Sequence, residues 1–91
     1  MLKRSGMRNG KTRITFSLPA DQPPGSVSVV GDFNDWQPGR HELARRRNGT
    51  RSVTADLPRG AHRFRYLATG DVWFDEPAAD HVDGSGSVIE V

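Results

Sequence analysis

The sequence has no cysteine, so neither a disulfide framework nor a thiolate zinc site can support its fold. It has no apolar run near the roughly 18 residues that span a bilayer, and we expect no membrane partner. The basic N-terminus "MLKRSGMRNG" has no apolar segment behind it, which argues against a secretory signal. A chain of 91 residues has room for one domain, and we expect it in the cytoplasm.

The chain also lacks a strong excess of either charge. It contains 13 basic and 11 acidic residues, a formal net charge of +2. Much of the basic surplus lies in residues 1–13, and the rest of the chain is close to neutral. Nucleic-acid-binding domains usually concentrate basic charge far more strongly, so the totals argue against nucleic acid as a partner.

Helical periodicity is absent, because no segment of ten or more residues keeps a 3.6-residue period. A period of two replaces it: Ile14, Phe16 and Leu18 alternate with polar residues, which is typical of a half-buried strand. Later segments repeat the pattern, and their predicted inward residues are Val27, Val29, Leu43, Val53, Ala55, Leu57, Phe64, Tyr66 and Ala68. Six to eight short strands, separated by turns, predict an all-β antiparallel sandwich over residues 11–91.

Glycine-containing turns separate these strands. Asn48-Gly49 is the strongest hairpin signal, because both residues tolerate the positive φ of a type I′ turn. Gly70-Asp71 is predicted to turn the chain into "VWF", and "SVIEV" is predicted as the last strand. Residues 1–10 are polar and without a period, so they are predicted to be a disordered basic leader.

Both tryptophans lie outside the predicted core register. Trp36 is in the turn-rich stretch "VVGDFNDWQPG", and Trp73 follows the Gly-Asp turn. Each could be an edge-of-core residue, since tryptophan is usually largely buried. Alternatively, two flat aromatic faces form a platform for a sugar ring, whose hydroxyls neighbouring polar side chains would bind. Arg65, on the outer face of the strand that leads to Trp73, is either a solvated charge or part of such a site.

Three segments together carry a family resemblance: "VVGDFNDWQPG", "LPRGAHRFRYLATGDVWFDEPAAD" and "GSGSVIEV". They resemble carbohydrate-binding module family 48, the isoamylase N-terminal-like domain. This family includes the glycogen-binding domain of AMP-activated protein kinase β subunits and domains attached to glycoside hydrolase family 13 enzymes, such as glycogen branching and debranching enzymes. The resemblance covers residues 11–91, and the Gly-x-Phe-Asn-x-Trp element beginning at Gly31 is its most specific part.

The resemblance implies an immunoglobulin-like sandwich that is not an enzyme and that binds α-1,4-linked glucans such as glycogen or starch. It implies that Trp36 and Trp73 stack on glucose rings and that Arg65, often lysine in the family, binds hydroxyls. The family's polar loop before the last strand corresponds to Asp83 and Ser85, which are further candidates. Gly84 and Gly86 lie where a threonine and an asparagine are usual, and Glu76 where aspartate is usual.

Other chemistry finds little support in the pattern. Paired carboxylates would suggest a glycosidase, but turns favour aspartate for backbone bonding, and a domain of this size cannot enclose a substrate. The acids concerned are Asp32, Asp35, Asp71, Asp75, Glu76, Asp80 and Asp83. His41, His62 and His81 lack metal-ligand spacing, so neither a metal nor a cofactor is predicted.

Two other functions stay open from the sequence. One is a protein-interaction or regulatory scaffold that has lost glucan binding and docks a partner enzyme or kinase, as the glycine-rich loop suggests. The other is nucleic-acid binding through residues 1–13 and the arginines at 45–47, since an OB-like barrel also offers aromatic platforms. A basic hairpin tip more often protects a sheet edge, and the arginines at 45–47 are not interleaved with aromatics.

Overall fold

The computed structural model describes residues 2–91, except for the side chains of Met7 and Arg8. Its strands, in chain order, are β1 (Leu2–Arg8), β2 (Lys11–Pro19), β3 (Val27–Gly31), β4 (His41–Glu42), β5 (Ala44–Arg45), β6 (Thr50–Pro58), β7 (Ala61–Ala68), β8 (Val72–Phe74), β9 (His81–Asp83) and β10 (Gly86–Glu90). The described chain therefore has ten strands rather than six to eight. Strands of two or three residues, such as β4, β5 and β9, are too short for a period of two to reveal.

The strands form two antiparallel sheets, which confirms the predicted all-β sandwich. One sheet has the order β1-β2-β6-β5, and the other has the order β4-β3-β7-β10-β9 with β8 also paired to β7. Their inner faces share one apolar core, in which the Phe16 and Phe64 rings meet edge to face at 5.1 Å. The core contains the residues predicted from the period of two, with Val53 and Leu18 packed at its margin.

The first strand corrects the prediction of a disordered leader over residues 1–10. Strand β1 pairs with β2 along its length, with a register shift between Ser5 and Met7. Asn9 and Gly10 join the two strands with φ values of 54° and 76°. Two consecutive positive φ values are the signature of a type I′ hairpin. Main-chain pairing with the edge of β2 therefore orders this segment, although its side chains show no clear alternation. Met1 lies outside the described residues.

The predicted hairpin at Asn48-Gly49 is confirmed, but the predicted turn type is wrong. Only Gly49 has a positive φ, of 81°. The Arg46 amide donates to the Thr50 carbonyl oxygen at 2.8 Å, which leaves three residues in the loop. The Asn48 side-chain oxygen accepts from the Thr50 amide at 3.2 Å, so Asn48 acts through its side chain.

Two charged residues lie buried among the core strands. Arg51, 3% exposed on the inner side of β6, donates to the carbonyl oxygens of Gly25, at 2.7 Å, and Pro23. Glu76, 1% exposed, accepts from the Tyr66 hydroxyl at 2.7 Å and the Ala78 amide at 3.0 Å. Hydrogen bonds of this kind offset the cost of burying charge. Arg51 thus holds the loop before β3, and Glu76 anchors the segment after β8.

Candidate functional site

The outer face of the six-stranded sheet carries the candidate residues of β7 and β8. On β7, Phe64 and Tyr66 point into the core, so Arg65 and Leu67 point outward. Leu67 is the Cα partner of Trp73, and directly opposed residues share one face. Trp73 therefore lies on the same face as Arg65 and is 46% exposed.

The loop 32–40 holds Trp36, and buried Asn34 organises it. The Asn34 side chain accepts from the Gly31 amide at 3.0 Å and donates to the Val29 carbonyl oxygen at 2.9 Å. The Trp36 amide donates back to the Gly31 carbonyl oxygen at 2.9 Å. Gly31 cannot be replaced easily, because an added Cβ would lie 2.6 Å from the Arg63 carbonyl oxygen. These contacts fold the chain sharply after β3.

The tight turn points Phe33, not Trp36, toward the core. The Phe33 ring is stacked near Phe16 at 6.0 Å between centroids. Asp35 and Trp36 both take positive φ values, 57° and 56°, which non-glycine residues adopt at a cost of roughly 1 kcal/mol or more each. Trp36 is 41% exposed. The structure therefore displays Trp36 on a strained turn.

The same loop lies over the outer face of β3. Ser28 and Val30 are the Cα partners of Leu67 and Arg65, so they too point outward. Both are nevertheless buried, and the Ser28 hydroxyl oxygen accepts from the Gly39 amide at 3.2 Å. The period of two predicts only one buried face for β3, whereas the covering loop buries both. The loop that contains Trp36 is thereby held over the face that carries Arg65 and Trp73.

Arg65 lies between the two tryptophan-bearing segments. Leu67 pairs with Ser28 on one side and Trp73 on the other, so β3 and β8 flank β7. The Arg65 Nη2 donates to the Gly84 carbonyl oxygen at 2.9 Å, and its Nε lies 3.4 Å from Asp75 Oδ1. These contacts orient the guanidinium of a side chain that is 29% exposed.

Asp83 and Ser85 form the turn between β9 and β10. The Asp83 carboxylate accepts from Arg63 Nη1 and, at 2.8 Å, from the Ser85 amide. The Arg63 hydrogen bond, followed by that of the Ser85 amide, lowers the pKa of Asp83. Asp83 therefore stays ionised, and its contacts are directed to its own turn and to Arg63 of β7.

Gly86 explains one departure from the family pattern. Its φ is +136°, and an added Cβ would lie 3.0 Å from the Phe64 carbonyl oxygen and 3.3 to 3.4 Å from the Arg63 and Arg65 side chains. A side chain there would press on both arginines. The absence of a side chain at Gly86 therefore leaves room for Arg63 and Arg65. The sequence pattern does not show this role. Arg63 is likewise a neighbour of the site that the sequence analysis missed.

The structure places Arg65, Trp73 and Asp83 on the outward side of the six-stranded sheet, which we call the aromatic face, with Ser85 in the adjoining turn and Trp36 in the loop that lies over β3. The two indoles are exposed, the guanidinium lies between their segments, and the polar turn borders the guanidinium through Gly84. Such a surface can stack apolar ring faces and bond hydroxyl groups.

A separate cleft of about 530 Å³ opens between the sheets, lined in part by Lys11, Phe33, Leu57 and His62. It contains neither tryptophan, so it is distinct from the aromatic face. His62 bonds the Pro58 carbonyl oxygen at 2.7 Å and lies 3.5 Å from Asp32. Within residues 2–91, no group of three or more His, Asp or Glu side chains is arranged to hold a metal ion. The described residues also include no helix that could cross a bilayer.

His41 gives the loop a predictable response to pH. Asn34 Nδ2 lies 2.9 Å from His41 Nδ1, and because an amide nitrogen only donates, this ring nitrogen must be unprotonated. Burial, and then the nearby Arg40 charge, lower the pKa of His41 below its ordinary value of 6.5. The unfolded chain thus takes up the proton first. The free energy of unfolding should be highest above pH 6.5 and fall as the pH is lowered beneath it.

Urea unfolding at pH 7.5 and pH 5.5 checks this prediction. The urea midpoint of the wild type should be lower at the acidic pH, and His41→Gln, which keeps an acceptor, should reduce the difference. His81→Gln, which changes an exposed histidine on β9, is the control and should preserve it. An equal difference in wild type and His41→Gln would contradict the assignment.

Comparison with known proteins adds one match. Residues 11–91 match the family model described as the glycogen recognition site of AMP-activated protein kinase. No curated protein sequence matches the chain.

Proposed function

The chain belongs to the family of glycogen recognition sites of AMP-activated protein kinase, and on that premise we propose that it binds α-1,4-linked glucan. The family is a carbohydrate-binding module family without catalytic function. The proposed ligands are glycogen, starch or maltooligosaccharides, met in the cytoplasm.

The observation that supports the proposal is the pair of exposed indoles, with Trp73 on the outer face of the six-stranded sheet and Trp36 in the loop that lies over that face. Trp36 is 41% exposed and Trp73 is 46% exposed, and neither belongs to the hydrophobic core. Indole faces cover the apolar C–H side of a pyranose, and burying each stacked face stabilises the complex through the hydrophobic effect. The strands next to these segments, β3 and β8, lie on either side of β7 and are therefore roughly 10 Å apart.

Polar groups between the indoles would orient the sugar. Arg65 presents a rigid guanidinium fork, held by Gly84 and Asp75, that can donate to two neighbouring hydroxyls. The ionised Asp83 carboxylate can accept a hydrogen bond from a sugar hydroxyl. The Ser85 hydroxyl can donate or accept one. The held fork supports binding because less side-chain freedom remains to be lost.

A second candidate rests on the turn between β9 and β10. Asp83 accepts from Arg63 and from the Ser85 amide, and Arg65 donates to Gly84, so much of the turn's bonding capacity is used within the chain. A face in this state could serve as a scaffold that docks a glucan-active enzyme or a kinase. In that case the tryptophans would bind protein, since tryptophan is also typical of interface centres.

A titration of the isotope-labelled protein with maltoheptaose, followed through its two indole N–H signals by NMR, separates these candidates. Saturable shifts of both indoles and of the Arg65 region are expected. Cellohexaose, with β-linked glucose, is the matched control and should shift them much less. If nothing moves at millimolar maltoheptaose, glucan binding is excluded and the scaffold becomes the better explanation.

A further inference from the structure

Charge is strongly segregated between the four-stranded sheet and the rest of the chain. Residues 2–19 and 44–58, which form that sheet and its hairpin turns, contain nine basic residues and one acid, a formal charge of +8. The other residues contain four basic residues and ten acids, a formal charge of −6. A net charge of +2 therefore conceals a strongly polarised molecule.

The fold assembles this basic surface from two distant segments. Strand β1 lies at one edge of the sheet and β5 at the other, so residues 2–13 and the arginines at 45–47 occupy one layer. Lys3 is the Cα partner of outward-facing Thr15, and the Arg46 amide bonds Thr50 at the opposite edge. Three strand spacings separate these edges, roughly 14 Å.

We define the basic face as the outward side of this sheet. Its cationic side chains are separated by rows of hydroxyls, and the residues on its strands are Lys3, Lys11, Arg13, Thr15, Ser17, Ser52 and Thr54. Arg46, in the turn after β5, lies on the same side, where its Nε donates to the Ser52 hydroxyl oxygen at 2.9 Å. Asp56, paired with Arg13 at 3.1 Å, is the one acid on the strands of this sheet. Arg4 and Arg51 do not contribute, because Arg4 is the Cα partner of core residue Ile14 and pairs with Asp80 before β9, and because Arg51 is buried.

The chemistry of the basic face matches a phosphate backbone. Arginine, lysine, serine and threonine are the side chains that commonly bind phosphate oxygens in nucleic-acid complexes. The large exposed apolar side chains of the described residues are Trp36, Val72, Trp73 and Val82, and none lies on this sheet. The face thus lacks aromatics to stack unpaired bases and apolar groups to insert into a membrane.

We propose that the basic face binds the phosphate backbone of duplex nucleic acid, without reading its sequence. The basic face and the aromatic face are the outer surfaces of opposite layers of the sandwich. A duplex on one therefore leaves the other open, and the two activities are independent.

Fluorescence anisotropy with a labelled 24-base-pair DNA tests the proposal. About four phosphate contacts should lower the affinity on the order of 100-fold between about 50 and 200 mM salt. Arg46→Glu and, separately, Lys3→Glu should each weaken binding at least about tenfold, since each removes one contact and adds a repulsion, and should make the salt slope shallower by about one.

Arg40→Glu is the matched control. Arg40 is an exposed arginine beside a two-residue strand, as Arg46 is, but it precedes β4 of the other sheet. It should change the affinity less than about threefold, by the long-range effect of net charge alone. Circular dichroism of each variant verifies the fold.

Three results would overturn the proposal. The first is no binding at about 50 mM salt, where backbone contacts are strongest. The second is an equal loss in Arg40→Glu and Arg46→Glu, which would indicate net charge alone. The third is binding to phosphatidylserine vesicles as tight as binding to the duplex, which would indicate a lipid surface. None of these three results bears on glucan binding, which the maltoheptaose titration tests separately.

Discussion

Replacing Trp36 or Trp73 by alanine is expected to weaken maltoheptaose binding at least about tenfold, and replacing both should abolish detectable binding. Each substitution removes a flat apolar surface, and stacked contacts of this kind contribute on the order of 1 to 3 kcal/mol. Isothermal titration calorimetry with maltoheptaose measures the change.

The fold should survive these substitutions, because both side chains are 41–46% exposed. Trp36 has a positive φ, but alanine meets the same backbone cost there, so no new strain arises. Val72→Ala is the matched control: Val72 is 50% exposed and adjoins Trp73 on β8, but it points to the opposite side.

Binding that equals the wild type in both tryptophan variants would place the glucan site elsewhere. Loss of binding in Val72→Ala as well would indicate a general effect on β8. Trp36→Phe and Trp73→Phe should recover part of the affinity, since a smaller aromatic face remains. Recovery by phenylalanine would distinguish ring stacking from a hydrogen bond of the indole nitrogen.

The second large effect is expected for Asn34→Ala, which should lower the free energy of unfolding by about 3 kcal/mol. Asn34 is 2% exposed, and its amide bonds the Gly31 amide, the Val29 carbonyl oxygen and the His41 ring. Alanine leaves buried backbone groups without partners, each at a cost of roughly 1 to 3 kcal/mol. For a domain of this size the melting temperature should drop by about 10 to 20 °C.

Urea unfolding and calorimetry measure the loss, and Asn48→Ala is its matched control. Asn48 is exposed in the turn after β5 and bonds only local groups of Thr50 among the described contacts, so its removal should cost no more than about 1 kcal/mol. Equal destabilisation by Asn34→Ala and Asn48→Ala would contradict the role assigned to Asn34.

Much of the sandwich could be predicted from the alternation of apolar residues. Ile14, Phe16, Phe64 and Tyr66 face the core as the period of two indicates, because one buried face is enough to set the register of a strand. The alternation does not predict burial where a loop covers the outer side of a strand. Val30 is buried on the outer side of β3 because a loop covers it.

Backbone pairing is a second reason why apolar alternation did not predict every strand. Strand β1 has no apolar period, and its order comes from main-chain bonds to β2. The Asn9-Gly10 turn was the available signal, since both residues adopt positive φ there. At Asn48-Gly49 the same dipeptide forms a different turn, because the longer loop lets the Asn48 side chain bond Thr50.

The sequence by itself determined the strand alternation, the glycine turns and the family pattern around Trp36 and Trp73. These are local properties, set by neighbouring residues within one strand or one turn. Only the tertiary structure decided which distant segments share a surface. It brought the loop that contains Trp36 over the face of Arg65 and Trp73, since the Gly39 amide of that loop bonds Ser28 on the outer side of β3.

It also joined residues 2–13 and the arginines at 45–47 in one basic layer, at opposite edges of the same sheet. A total charge carries no information about this arrangement. Strand order depends on which backbones pair across the sheet, and that choice is made by the packing of the whole sandwich.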